Sequence, residues 1–264
     1  MKGQRITDSP VKDYRTGKPE RRRATHATLM GIMLTGIFLI FACNVQSSEL
    51  DKSLSKAISQ QLEGLWAYES LKPSRGDEFL LTGYFIFHDG YFLQQSINDG
   101  DPFESQGGMA HAGPYMKADK GYRMVAEIGI STMPTRTPPL SVRLDTQHEI
   151  FPEFSDGKLV LTFGSGTVQI FRRIDTKERQ IHKLDKGYLA FADHYFILVT
   201  AWEENTVAGT GTYEKEGNSL RLHAERWFSV LKGKANNIKD QTIDATFDGE
   251  TFKMPNGVEF HTTK

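Results

Sequence analysis

The sequence predicts an all-β protein: two tandem up-and-down β-barrels behind an N-terminal targeting segment. Three observations carry that expectation. From Leu65 onward, short aromatic and β-branched runs are cut at regular intervals by Gly, Asp-Gly and Asn, the rhythm of strands and turns. The run Gly83-Tyr84-Phe85-Ile86-Phe87-His88-Asp89-Gly90-Tyr91-Phe92 returns as Gly187-Tyr188-Leu189-Ala190-Phe191-Ala192-Asp193-His194-Tyr195-Phe196, with six of ten positions identical. The repeat period, near 100 residues, is too long for a solenoid or propeller blade but holds seven or eight strands, enough to close a small barrel. With 264 residues, 25% charged and 38% apolar, the chain can bury a core. Collagen, a disulfide scaffold and a wholly disordered chain are excluded.

The N-terminal segment comes first. Residues 1–42 carry eight Lys/Arg against three Asp/Glu, leaving 24 against 30 for the remainder, so the net charge of −1 averages two unlike parts. Arg21-Arg22-Arg23 precedes an uncharged run, Ala27 to Ala42. This is the pattern of a secretory signal, in which Arg stays cytoplasmic while the apolar segment enters the bilayer. At 16 residues the run falls between a signal core and a comfortable spanning helix, so cleavage and retention both stay open. The segment Leu39-Ile40-Phe41-Ala42-Cys43 resembles a bacterial lipobox. That resemblance implies lipidation at Cys43, a domain 1–43 that is processed, and a mature protein held at the cell envelope. An inner-membrane signal anchor and plain secretion are the alternatives. Once Cys43, the one cysteine, is lipidated, no thiol remains for a disulfide, a nucleophile or a metal. Residues 44–61 read as a polar tether and a short helix, with Leu54, Ile58 and Leu62 on one stripe that plugs or flanks the domain.

The first repeat, 62–174, is expected to form strands near 64–71, 78–88, 91–98, 109–118, 121–131, 140–154, 158–164 and 167–174. The second, 181–264, is expected to form them near 181–192, 195–203, 206–215, 219–230, 238–247, 250–254 and 258–263. Asp89-Gly90, Asp156-Gly157 and Asp248-Gly249 are hairpin signals, since a type I′ turn needs positive φ. His194, in the place of Gly90, is expected to take the left-handed conformation there. Gly113-x-Tyr115 matches Gly211-x-Tyr213, and Ala126-Glu127 with Ser131 matches Ala224-Glu225 with Ser229.

Leu62-Glu63-Gly64-Leu65-Trp66, the Gly83 to Phe92 run, Ala112-Gly113-Pro114-Tyr115, Val125-Ala126-Glu127, Val142-Arg143, Asp156-Gly157-Lys158-Leu159 and Phe171-Arg172-Arg173 together resemble a bacterial lipocalin-like domain of calycin type. The early Gly-x-Trp and late Arg are the carriers of that resemblance; the second half lacks the Gly-x-Trp. The resemblance implies a Trp closing one barrel end beneath an Arg, and an interior cavity for a small apolar molecule. It also implies a family of carriers with a few isomerase-type or cyclase-type enzymes.

Catalytic motifs are largely absent. Gly164-Ser165-Gly166 reads as a hairpin turn. There is no phosphate-cradling glycine motif and no H-E-x-x-H, and the eight His are scattered. No cofactor or metal is expected, and an acidic body excludes nucleic acid. Alternation along 122–130 places Tyr122, Met124, Ala126, Ile128 and Ile130 on one face, opposite Glu127. Along 219–228 it places Leu220, Leu222, Ala224 and Phe228 opposite Arg221, His223, Glu225 and Trp227. The candidate ligand-binding residues are His111, Tyr115, Glu127, Arg143, Tyr213, His223 and Glu225. Three functions follow: binding of a small apolar ligand in a barrel cavity, a lipocalin-like isomerase or hydratase with Glu and His as acid and base, or a non-catalytic envelope structural or assembly lipoprotein with packed interiors.

Overall fold

The computed structural model describes residues 56–98, 106–133, 137 and 140–263. The basic leader, the apolar run 27–42, Cys43, the tether and Leu54 lie outside the described residues. No helix among the described residues is long and apolar enough to cross a membrane.

A short helix over 56–62 leads into the first sheet. Its strands are β1 (Gly64–Lys72), β2 (Phe79–Leu80), β3 (Thr82–His88), β4 (Tyr91–Asn98), β5 (Gly107–Lys117), β6 (Tyr122–Ala126), β7 (Ile128–Thr132), β8 (Leu140–Arg143), β9 (Thr146–Ser155), β10 (Lys158–Phe163) and β11 (Val168–Ile174). Eight of these form an antiparallel ring, β1-β3-β4-β5-β6-β9-β10-β11, which the β1–β11 ladder closes. The second sheet is β12 (Arg179–Leu184), β13 (Gly187–Ala192), β14 (Tyr195–Trp202), β15 (Asn205–Glu216), β16 (Ser219–Leu231), β17 (Lys234–Phe247), β18 (Thr251–Lys253) and β19 (Glu259–His261), paired in chain order. It closes through a Leu184–Thr262 bridge, with Thr263 N donating to Lys183 O at 2.9 Å. The expectation of an all-β fold with two tandem barrels holds.

Three apolar layers hold the fold. Phe85, Phe87, Phe92, Tyr115, Met124, Leu161 and Phe171 fill much of the first ring. Leu189, Phe191, Phe196, Leu198, Leu222, Trp227 and Phe252 fill the second. The third layer lies between the barrels, where Tyr84, Ile86, Leu93 and Ile130 meet Tyr188, Ala190, Ile197, Val199 and Phe228. Strands β3, β4, β13 and β14 are therefore buried on both faces, which is why they read as continuous apolar runs.

The interface is reciprocal. Tyr84 Oη donates to Glu225 at 2.8 and 3.0 Å, and Tyr188 Oη donates to Glu127, which Lys183 also pairs at 2.7 Å. Tyr84 and Tyr188 are equivalent in the repeats, as are Glu127 and Glu225. Each barrel thus gives its tyrosine to the other's glutamate, the signature of a pseudo-two-fold contact.

Two local devices aim those glutamates. In β15–β16, Thr210 faces Arg226 but Gly211 faces Ala224, which leaves Glu225 as the extra residue of a bulge. A Cβ at Gly211 would sit 2.1 Å from His223 O, and one at Gly113 would sit 2.0 Å from Val125 O. Glycine is required where the bulge crosses its neighbour. The repeated Gly-x-Tyr and Ala-Glu are therefore two halves of one device.

The bulges correct the alternation expected from sequence. Tyr122, Met124 and Ala126 point into the first barrel, whereas Ile128 and Ile130 face the second. Likewise Leu222 and Ala224 point inward together with Trp227, while Phe228 faces the first barrel. One extra residue shifts a period of two by one. Three further corrections concern turns. The segment 181–192 is two strands broken at Asp185-Lys186, not one. At the hairpin, Asp193 rather than His194 has positive φ (48°). Asp89-Gly90 and Asp156-Gly157 take positive φ at both positions, but at Asp248-Gly249 only the glycine does. There Asp248 instead accepts from Glu250 N and Thr251 N.

Candidate functional site

One end of the first barrel is shut. Leu62 of the helix is fully buried in the barrel core with Ile58 packed beside it, as the apolar stripe predicts. Trp66 Nε1 donates to Leu62 O at 2.9 Å. Arg173 lies 5.0 Å above the Trp66 ring and donates to Gln61 O and Glu63 O. Trp66 thus lies beneath Arg173 at this end, the arrangement that the resemblance implies. Glu63 completes it, accepting from Tyr115 Oη at 2.7 Å and from Asp89 N at 3.1 Å.

The opposite end contains a cavity of about 360 Å³. Leu71, Phe79, Phe85, Met109, Met124 and Phe163 provide most of its wall, and the Ser165–Thr167 turn edges it. Tyr68, Gln94, His111, His148 and Gln169 supply the polar groups. Tyr68 Oη donates to Gln94 Oε1 at 3.0 Å and to Gln169 Oε1 at 3.4 Å, and Gln94 Nε2 contacts His111 Nδ1. The His111 and His148 rings lie edge to face, 5.8 Å apart. Burial, with His148 adding to it, pushes His111 down to about 4; burial also lowers His148 and raises the Tyr68 phenol far above its ordinary range. His111 is deep in the wall yet borders open space on one edge.

Strand register explains why the second barrel has no counterpart to this network. Phe85 faces Gln94, and Gln94 faces His111; in the second repeat Leu189 faces Leu198, and Leu198 faces Gly209. His111 faces Gly129, whereas Gly209 faces Trp227. The bulky member of the pair changes sides. A Cβ on Gly209 would lie 2.0 Å from the Trp227 ring, so that indole occupies the interior outright. Tyr68 corresponds to Leu184, since Ala67 and Lys183 face the equivalent Tyr84 and Tyr188. Tyr68, Gln94 and His111 thus become Leu, Leu and Gly.

The structure divides the residues singled out from sequence. His111 lines the cavity. Arg143 is exposed and borders a shallow groove on the other side of His111, together with Met109, Gly129, Ser141 and His148. Tyr115 points into the barrel at the plugged end. Glu127 and Glu225 lie at the inter-barrel contact. Tyr213 packs on Phe191 at 4.6 Å, and His223 lies 3.3 Å from Thr242 Oγ1 and 3.8 Å from Glu214. His111 and Arg143 border one groove, and His223 and Glu225 border another, small open one with Thr212, Asp240 and Thr242. The sequence reading missed Tyr68, Gln94, His148 and Gln169. Gln94-Gln95 inside the apolar run Phe92 to Ile97 is the signal that could have found them, because buried amides need partners.

A larger open groove, about 710 Å³, crosses the second repeat, but Glu214, Lys215, Glu216, Arg221, Asp244 and Lys253 line it. Water solvates such a surface well, and the smaller apolar cavity is the better candidate. Among the described residues no group of three or more His, Cys, Asp or Glu could hold a metal ion. A scan against protein-family models finds no match to this chain, and a search of curated proteins finds none either.

Proposed function

We propose that this protein binds a small, largely apolar molecule in the first barrel, as an exported lipocalin-like carrier held at a bacterial cell envelope through Cys43. The observation that carries this reading is the asymmetry between the repeats. The same framework is filled by Trp227 in one barrel, while in the other it keeps a cavity edged by Tyr68, Gln94, His111 and Gln169. Burying polar groups costs free energy that a purely structural interior avoids. Apolar walls with a few fixed polar groups suit a ligand that gains affinity from the walls and orientation from the groups. Trp66 beneath Arg173 supports the lipocalin-like resemblance. The basic flank, apolar run and lipobox-like Cys43 support the address. The second barrel then braces the wall that the first presents to it.

Displacement of a hydrophobic dye, combined with native mass spectrometry, tests the binding reading. One equivalent of ligand is expected per chain, and filling the cavity by Met109→Trp abolishes it. A full-length protein that takes up no apolar probe refutes the reading. The anchor is tested separately: acyl mass on Cys43, lost in Cys43→Ala, is expected, and a membrane fraction indifferent to that substitution refutes it.

A further inference from the structure

We propose that the cavity selects a ligand bearing an uncharged hydrogen-bond acceptor, such as a ketone, ester or ether oxygen, and that His111 Nε2–H is its donor. This rests on the first barrel being a binding site and adds the chemistry of the bound group.

The argument is one of donors and acceptors. Tyr68 Oη gives its single hydrogen to Gln94 Oε1 and Gln169 Oε1. With its oxygen so engaged, Gln94 turns its Nε2 to His111 Nδ1. An amide nitrogen only donates, so Nδ1 accepts, and a neutral imidazole that accepts at Nδ1 carries its hydrogen on Nε2. That hydrogen has no partner among the described residues. Gly129, directly across the ladder, puts no side chain against the Nε2 edge, where an added Cβ would come within 3.4 Å, so that edge of the ring borders the groove that Gly129 and Arg143 line as well as the cavity that His111 lines. The Gln169 amide nitrogen likewise has no partner among the described residues and lines the same space. Hydrogens are thus on offer deep in the wall, where Gln94 Oε1, Gln169 Oε1 and His111 Nδ1 are already engaged; the remaining acceptors are the unprotonated nitrogen of a neutral His148 and the Ser165 and Thr167 hydroxyls at the rim.

Charge is excluded by the wall itself. None of the described residues lining the cavity is Lys, Arg, Asp or Glu. A carboxylate or ammonium drawn inside would be desolvated without an opposite charge, a strongly unfavourable exchange. Arg143 does not repair this, because it stands exposed in the groove beyond His111. An acidic head reaching out to Arg143 is the competing arrangement, and the test separates the two.

Four probes sharing a ten-carbon chain (methyl decanoate, decanoate, decylamine and decane) are competed against a hydrophobic dye on the full chain at neutral pH. The ester is expected to bind about tenfold more tightly than decane, roughly the effect of one hydrogen bond, and more tightly than the acid or the amine, whose charge would be desolvated. His111→Phe is expected to remove the ester's advantage over decane and leave decane unchanged. Nitrogen-15 NMR of wild-type protein gives a measurement that needs no variant: His111 is expected in the Nε2–H tautomer. An Nδ1–H tautomer, or decanoate binding as well as the ester, overturns the proposal. Equal binding of all four overturns it while leaving the cavity a binding site. Binding of none removes the binding reading as well.

Discussion

Replacing Gly129 with alanine tests the site through one atom. The new Cβ would lie 2.9 Å from His111 Cδ2, 3.4 Å from Nε2 and 3.4 Å from Arg143 O. Carbon atoms pack at about 3.5–4.0 Å, so the imidazole must retreat by at least ~0.6 Å. It retreats away from Gly129 while its Nδ1 is tied to Gln94, so the Tyr68–Gln94–His111 chain is strained or broken. A buried hydrogen bond contributes about 1 kcal/mol and modest overpacking costs about 1–3 kcal/mol, so a loss of about 1–2 kcal/mol is expected. Urea unfolding followed by tryptophan fluorescence measures it, and the His111 nitrogen shifts report whether the chain has changed. Gly107→Ala, on the neighbouring strand β5, is the control, because its Cβ would meet only Met133 Cε at 3.6 Å and Thr132 O at 3.8 Å. Equal stability of the two variants, with unmoved His111 signals, would refute the claim that Gly129 makes room for that ring.

Three further outcomes are expected. His111 is near 4 in the fold and near 6.5 when unfolded, so the unfolded chain binds the extra proton between those values. Stability is therefore full above about pH 6.5 and falls towards pH 4, by up to roughly 3 kcal/mol; a His111→Phe protein with an unchanged acid limb contradicts this. Trp227→Ala should cost about 3–5 kcal/mol, the range for emptying a filled core, and a cost below about 1 kcal/mol would show that the second interior is not packed as described. A double-mutant cycle of Tyr84→Phe with Glu225→Gln should give a coupling of about 1 kcal/mol, reduced because the carboxylate is exposed. In the equivalent cycle of Tyr188→Phe with Glu127→Gln, added salt should weaken the coupling, since Lys183 also pairs with Glu127, and additive effects in both cycles would refute the reciprocal contact.

Much of the fold was legible because its signals are local. Asp89-Gly90 and Asp156-Gly157 set hairpins, and the returning Gly-Tyr-x-x-Phe pattern set the duplication. The Ile58–Leu62 stripe foretold the plug. What the sequence could not disclose depends on single residues whose effect is non-local. Glu127 and Glu225 look like ordinary alternating positions until the strand pairing shows that each is the extra residue of a bulge. After that point every side chain changes face, so Trp227 and Phe228 exchange core and interface. The candidate site was harder still. His111 was visible as a residue, but its partners come from β1, β4, β9 and β11, and only the closed ring brings Tyr68, Gln94, His148 and Gln169 to it. Glutamates drew attention by recurring, although recurrence here reflects the contact that the repeats share.

That shared contact also explains how one repeat could keep a polar interior. In a reciprocal interface each barrel buries the outer faces of its own central hairpin against the other's, with Tyr84 and Ile86 on one side and Tyr188 and Ala190 on the other. The stability of β3 and β4 therefore does not rest on the first interior alone. Their inner faces are free to carry Gln94 and, across the ladder, His111, because the outer faces and the filled second barrel supply apolar burial. The second repeat shows the converse, with Leu198 and the Gly209–Trp227 pair in those places and no polar chain to satisfy. Duplication without this two-sided burial would leave the polar network to be supported by a ring that already lacks part of its filling. With it, the site and the packing that sustains it reside in different copies of the same sequence pattern.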